Sequence, residues 1–470
     1  MAQDNKDIKE DEKNIDDKSM ETSVMGISDD QIDVIRDALE ERNAPAVESL
    51  LDELAPADSA DLLEKIDKDE RDILIQHYSN QFDGAVFVEM DADLRKAVLE
   101  SLPSEKVAQY VNELDSDDSL DILQNLDPIF QKEILRKLSG RDREAMVEGL
   151  TFPEESAGRL MQREFIAIPE FWTVGKTIDY LREAADTIPE DFSDIFVISP
   201  SYHVTGEIPI NRILRSKRSE KIANLSLEKL NRIPATMDQE DVAYIFKREG
   251  LASAPVVDDN ERLIGVITID DILHVIDQEA KEDLLRLGGI ERDDIYRAVL
   301  DTTKARFSWL FVNLITAILA SIVIGLFEAT IEQIVALAVL MPIVASMGGN
   351  AGTQTLTVAV RALATKELSR SNASRMISKE LIVGLLNGIV FAIIIGSITS
   401  LWFGSYVLGG VIAAAMVVNM ITAAFFGITI PVILDRMNMD PALASTVFLT
   451  TMTDIVGFFA FLGLAALILI

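Results

Sequence analysis

Hydrophobic positions fall into three regimes along the 470-residue chain. From about residue 30 to 150, Leu54, Ile66, Tyr78, Met90, Leu102, Leu114, Leu126, Leu138 and Leu150 recur every 12 residues, with turn or capping residues behind several of them, as in Leu102-Pro103-Ser104 and Leu126-Asp127-Pro128. Each unit suits a helix of about two turns plus a turn. A unit this short buries no face alone, so stacking into an all-α superhelix is predicted, with an outward face rich in acid, as at Asp115, Asp117, Asp118 and Asp121. Next comes a repeat at an offset of 59: Ile195-Phe196-Val197-Ile198 and Gly206-Glu207-Ile208-Pro209-Ile210 match Ala254-Pro255-Val256-Val257 and Gly265-Val266-Ile267-Thr268-Ile269. Each copy reads as a β-hairpin followed by a helix, with helical stretches upstream around Thr177 to Ala185 and Asp241 to Arg248. That is tandem α/β architecture.

The third regime is continuous apolar sequence. Runs near Ser308 to Phe327, Ile334 to Val360, Leu381 to Phe403, Leu408 to Leu434 and Ala442 to Ile470 each reach the roughly 20 residues that cross a 30 Å hydrocarbon core. They predict a five-helix transmembrane domain. Residues 1–26 are acidic without an apolar leader segment, which predicts a disordered tail rather than a secretion signal.

Charge sharpens this division. The chain carries 43 Lys and Arg against 77 Asp and Glu, a net charge of −34, while its mean hydropathy is +0.20. Residues 301–470 hold 8 of each sign, so the whole excess lies in residues 1–300. Such a block repels phosphate backbones, which excludes nucleic acid as a partner, and favours cations. With no cysteine, thiolate catalysis and Cys-based metal sites are ruled out. No nucleophile–base pair or histidine cluster converges in the sequence, so an enzyme is not expected. Arg361, Lys366, Arg370, Arg375, Lys379 and Arg436 fall in two of the loops between spans, and the other loops lack Lys and Arg. Excess positive charge marks cytoplasmic loops, which places the N-terminal part in the cytoplasm and the C-terminus outside.

Candidate chemistry concentrates in two spans. Gly348-Gly349-Asn350-Ala351-Gly352-Thr353-Gln354-Thr355 is too polar and glycine-rich for a lipid-facing helix, and broken backbone facing a cavity is expected there. In the last span Thr446, Thr450 and Asp454 follow at four-residue spacing, and Gly457 continues the stripe. Asp454, the only acid well inside any of these runs, lies about 18 Å from Ala442, near mid-membrane. A carboxylate at that depth costs at least about 2.5 kcal/mol without a partner, and no Lys or Arg is placed to supply one, so a transported cation is the favoured reading. Asp454 is read as the pore metal ligand, with Gly348, Gly349, Asn350, Gly352, Thr353, Gln354, Thr446, Thr450 and Gly457 as pore lining. Carboxylate, hydroxyl, amide and carbonyl oxygens suit hard ions such as Mg²⁺. One Asp per chain predicts a homodimer, which supplies two.

The segment Ala254-Pro255-Val256-Val257-Asp258 with Gly265-Val266-Ile267-Thr268-Ile269-Asp270-Asp271 resembles a cystathionine-β-synthase-type (CBS) domain, and the offset of 59 makes a pair. The order helical repeat, CBS pair, five spans with Gly-Gly-Asn-Ala-Gly-Thr-Gln-Thr and Thr453-Asp454-Ile455-Val456-Gly457 resembles the MgtE family of magnesium channels. The resemblance implies a tail over 1–27, a superhelical N domain over 28–153, tandem CBS domains over 154–277, a connecting plug helix over 278–304 and a five-helix membrane domain over 305–470. It also implies a homodimeric, multi-pass channel of the cell (inner) membrane, embedded in lipid, for magnesium uptake and homeostasis, closed by cytosolic Mg²⁺. Glu279, Glu282 and Asp283 at the start of the plug, Asp271, Asp440, and Asp117 and Asp121 on the superhelix match the regulatory acids. Thr268 and Asp271 match a nucleotide ribose contact, making ATP a second candidate ligand. The first copy has Pro209 and Arg212 in their place. Transport of Mn²⁺ or Co²⁺, and a membrane-anchored nucleotide sensor, are the alternative readings.

Overall fold

The computed structural model describes residues 26–470 apart from 186, 190, 227–228, 291–295, 297–298, 370 and 438. The acidic tail expected over 1–27 lies almost wholly outside the described residues, as does Arg370. The chain divides into two compact units at Ile276/Asp277.

Among the described residues the first unit opens with ten short helices: α1 (Asp29–Glu40), α2 (Ala44–Asp52), α3 (Pro56–Lys65), α4 (Lys68–His77), α5 (Gly84–Glu89), α6 (Ala92–Ser101), α7 (Ser104–Glu113), α8 (Ser116–Gln124), α9 (Pro128–Leu135) and α10 (Gly140–Gly149). The 12-residue series closes these helices rather than filling their centres: Ile66, Tyr78, Met90, Leu102, Leu114 and Leu150 are C-caps. The deepest core lies three residues earlier at the same period, in Leu51, Leu63, Ile75, Phe87, Leu99, Val111 and Leu123, each no more than 4% exposed. Side chains cap the starts: Ser28 and Gln31 bond reciprocally, and Asp91 accepts from the amides of Asp93 and Leu94. Each cap satisfies donors that a helix start leaves without partners.

A short helix α11 (Ala157–Leu160) leads to two matching α/β modules. The first contains β1 (Ala167–Pro169), α12 (Val174–Glu183), β2 (Asp194–Ile198), β3 (Val204–Pro209) and α13 (Ile210–Arg215). The second contains β4 (Ile233–Pro234), α14 (Gln239–Glu249), β5 (Ser253–Val257), β6 (Leu263–Thr268) and α15 (Ile269–Leu287). In each sheet the central strand pairs parallel to the first and antiparallel to the third. Asp194 opposes Pro209, and Ser253 opposes Thr268, with a register irregularity at Val197/Ile198 and again at Val256/Val257. The sequence offset is thus preserved down to the irregularity. Phe196, Val204, Val257, Leu263 and Val266 form an apolar cluster shared by the two modules.

The second unit holds α16 (Val299–Gly325), α17 (Glu328–Gln333), α18 (Ala336–Ala364), α19 (Ala373–Phe403), α20 (Tyr406–Arg436) and α21 (Pro441–Ile468). Five of these, all but α17, are long and apolar enough to cross a membrane. The most apolar stretch of α20 is 56% buried and that of α16 only 6%, so α20 is the hub. Two expectations change. The backbone is unbroken through Gly348–Thr355, because α18 continues as one helix to Ala364. Asp454 is not the only acid deep in a span: α19 starts at Ala373, which sets Glu380 two turns inside it, buried, with a long 3.4 Å hydrogen bond from Thr355.

Candidate functional site

In the first unit, carboxylates gather where α8 meets the start of α15. Asp115 precedes α8, and Asp117 and Asp118 lie in its first turn, where acids favour the helix dipole. Asp270 and Asp271 occupy the first turn of α15. Asp117 is 8% exposed, and its buried Oδ1 has no hydrogen-bond partner among the described residues. Burial, then Asp271 and Asp118, hold the Asp117 carboxyl well above the ordinary range. Asp118 is pushed up to about 7 by burial, then by Asp271, Asp121 and Asp115, against a lowering from His274. Burial likewise raises Asp115, with Glu164 and Asp270 adding to it. Asp271 is also raised by burial, partly offset by its bond from Thr268. Ionised carboxylates this close and this dry are stable only with a proton or a metal between them.

The placements differ among the expected residues. Asp117 is turned inward, whereas the superhelix acids were expected on an outward face. Asp121 is committed elsewhere, to a 2.7 Å ion pair with buried Arg95. Asp118, absent from the expected set, joins Asp117 and Asp271; its place beside Asp117 in an acidic helix start was the only sequence signal. Thr268 and Asp271 bond to each other, Oγ1 to Oδ2 at 2.7 Å, across the N-terminus of α15.

In the second unit, Glu279, Glu282 and Asp283 stand in the last three turns of α15, not at the start of a separate helix as expected. Asp283 is pushed up to about 6 by burial, then by Asp440 and Glu279. Beyond them Leu287 packs among Leu356, Val360, Ala442 and Leu449, and its carbonyl accepts from Thr446 Oγ1 at 3.2 Å. Gly288 and Gly289 end the segment, the latter at φ +75°, a conformation that glycine adopts without strain. The end of α15 is therefore seated on α18 and α21.

Polar residues on α18 separate into two faces. Gly348 and Gly352 are buried: a Cβ on Gly348 would collide with Asn419, and one on Gly352 would lie 2.8 Å from Leu449. Gly457 on α21 abuts the same Asn419, at 2.8 Å from a hypothetical Cβ. These glycines bring α18, α20 and α21 together around one fully buried amide, whose Nδ2 donates to the Val344 carbonyl at 2.7 Å and whose Oδ1 has no partner among the described residues. Asn419 was missed in the sequence, although it is the one amide in α20. Ser346, Asn350, Thr353, Gln354 and Thr357 instead form an exposed stripe, with half-buried Gly349 alongside. On α21 Thr446, Thr450 and Asp454 are half-buried along one face, and Asp454 has no charged partner among the described residues.

Among the described residues no three His, Asp or Glu side chains converge closely enough to hold an ion alone. The donor sets still fit Mg²⁺, which keeps several waters and takes one or two carboxylates; the orphaned Asp117 Oδ1 is the clearest such oxygen.

Comparison with known proteins follows the same division. Residues 341–464 match the family model MgtE, described as a divalent cation transporter, residues 54–155 the MgtE intracellular N domain, and residues 225–278 the CBS domain. A magnesium transporter MgtE of Bacillus subtilis is 29% identical over 89% of this chain and 92% of its own. One of Thermus thermophilus is 29% identical over 93% and 98%. One of Enterococcus faecalis is 32% identical over 68% of this chain and 70% of its own length. An N-terminal superhelix, a CBS pair and five apolar helices in that order, matched across most of the chain, identify it as a member of the MgtE family of divalent cation transporters.

Proposed function

We propose that the protein is a Mg²⁺-selective channel that works as a homodimer, admits magnesium to the cytoplasm and closes as cytosolic Mg²⁺ rises. The observation that carries the ion path is the exposed polar stripe Ser346–Asn350–Thr353–Gln354–Thr357 on α18, in a unit whose other exposed side chains are largely apolar. Lipid does not solvate such a stripe, so it faces water or a second copy. Among the described residues Asp454 has no counter-charge, and two copies would bring two carboxylates to one divalent ion that retains its waters. The three relatives, each named a magnesium transporter, support the choice of ion. An interior-negative potential favours entry of a divalent ion by about 4.6 kcal/mol per 100 mV, so uptake needs no further energy source.

Closure is the work of the acidic clusters. Asp117, Asp118 and Asp271 repel when ionised, and a divalent ion bridging them favours the compact arrangement over a splayed one. Asp283 beside Asp440 and Glu279 offers the same logic at the end of α15. Several weakly selective sites together reach the roughly 5.5 kcal/mol that moves a population from 1:99 to 99:1. The basic connections before α19 and before α21 support a cytoplasmic placement for the acidic unit and an outside C-terminus. Flux of Mg²⁺ into proteoliposomes tests the ion path. Asp454→Asn should abolish it in a protein that still elutes as a folded dimer, and undiminished flux would remove Asp454 from the path.

A further inference from the structure

One charged contact in the second unit needs no divalent ion. Arg286, in the last turn of α15, pairs with Glu282 one turn earlier and with Asp440. Asp440 is the N-cap of α21: its Oδ1 accepts from the Ala442 amide at 2.7 Å while its Oδ2 meets the guanidinium. Both oxygens of a carboxylate expected to bind Mg²⁺ are thus engaged by donors of the protein itself. The pair is sheltered, with Arg286 and Asp440 side chains 30% and 25% exposed, which places it among the half-desolvated ion pairs that resist screening. The next residue, Leu287, is seated among Leu356, Val360, Ala442 and Leu449. Ion pair and apolar anchor therefore act at the same point.

We infer that Arg286 is a positioning residue for closure: a built-in cation that docks the end of α15 onto the α20–α21 turn without metal, leaving regulatory Mg²⁺ to act on the remaining acids. The inference rests on the closing function proposed above, but the docking itself is tested separately from it, in EDTA. A permanent +1 charge at Asp440 lowers the divalent concentration needed to close, because part of the repulsion around Asp283 and Glu279 is neutralised beforehand. Arg suits this role, since its charge is independent of pH and its planar fork spans two carboxylates.

The chain has no cysteine, so spin labels at Leu284→Cys and Met437→Cys, both exposed positions, report the dock specifically when labelled chains are diluted into unlabelled ones in nanodiscs. With EDTA, the otherwise unaltered protein should give one narrow distance. Arg286→Gln should broaden it, and should raise the Mg²⁺ concentration for half-closure in a flux assay by about tenfold. Asp440→Asn keeps the capping oxygen and should shift both readouts equally, with the double variant adding nothing further. An unchanged EDTA distance with an unchanged midpoint would overturn the inference. So would a lowered midpoint, which means that Arg286 competes with Mg²⁺ rather than preparing its site. If Mg²⁺ fails to close the unaltered channel, the closing function falls, while the EDTA distances still judge the dock.

Discussion

Removing one proton-binding carboxylate from the α8–α15 cluster tests the electrostatic reasoning directly. Asp118 moves from about 3.9 in an unfolded chain to about 7 in the folded protein. A folded-state value above the unfolded one means that the native state holds the proton more tightly. The resulting stability is complete below about pH 4 and is lost as pH rises through 7. Three units at 1.36 kcal/mol each set a ceiling of about 4 kcal/mol, and solvent access to the half-buried side chain reduces this to about 2. In EDTA the first unit should therefore be less stable at pH 8 than at pH 5, by about two-thirds of that amount (~1.4 kcal/mol) from Asp118 alone, since only the two units between pH 5 and 7 fall in this window, and by more once Asp117, Asp271 and Glu207 are included. Glu207 shifts the same way, to about 7, through burial and then Asp194. Asp118→Asn should restore about 2 kcal/mol at pH 8 and little at pH 5, while reducing the stabilisation given by added Mg²⁺. Trp172 is the one tryptophan of the first unit. Urea unfolding of full-length protein carrying Trp309→Phe and Trp402→Phe, followed by fluorescence, reads it out. A urea midpoint that does not change with pH in EDTA, or an Asp118→Asn variant identical to its parent at pH 8, would refute the argument.

Asp121→Ala should destabilise the first unit by roughly 1–3 kcal/mol at any Mg²⁺ concentration, because Arg95, 4% exposed, loses its counter-ion; urea unfolding with and without Mg²⁺ distinguishes this structural role from metal binding. Gly348→Val should disrupt the membrane unit, since even its Cβ collides with Asn419, whereas Gly349→Ala, with open space at that position, should be tolerated. Thermal unfolding in detergent compares the two.

Much of the fold was legible because each of its parts announces itself by period. The 12-residue series, the offset of 59 and five 20-residue apolar runs survive in the structure, the second down to matched strand registers at Asp194–Pro209 and Ser253–Thr268. What escaped was short or depended on tertiary context. β1 and β4 span only three and two residues, too few for alternation to show. A glycine-rich, polar stretch reads alike whether the backbone breaks or a continuous helix packs tightly, so α18 was misjudged at Gly348–Thr355. Which acid in Asp115–Asp121 turns inward depends on where α8 meets α15, and that contact lies some 150 residues apart in sequence. Asn419 was a single amide in an apolar helix, and only the partner glycines on two other helices give it a role.

The central claim is that one dimeric pore conducts Mg²⁺ and is closed from the cytoplasmic side by the same ion. The direct measurement is Mg²⁺ flux through reconstituted protein with the ion varied separately on the two faces, and with Mn²⁺ and Co²⁺ as competitors. The account predicts flux that Asp454→Asn abolishes, that millimolar Mg²⁺ on the face carrying the acidic unit suppresses, and that Mg²⁺ on the opposite face only drives. Equal suppression from either face, or flux that persists without the Asp454 carboxylate, would contradict it.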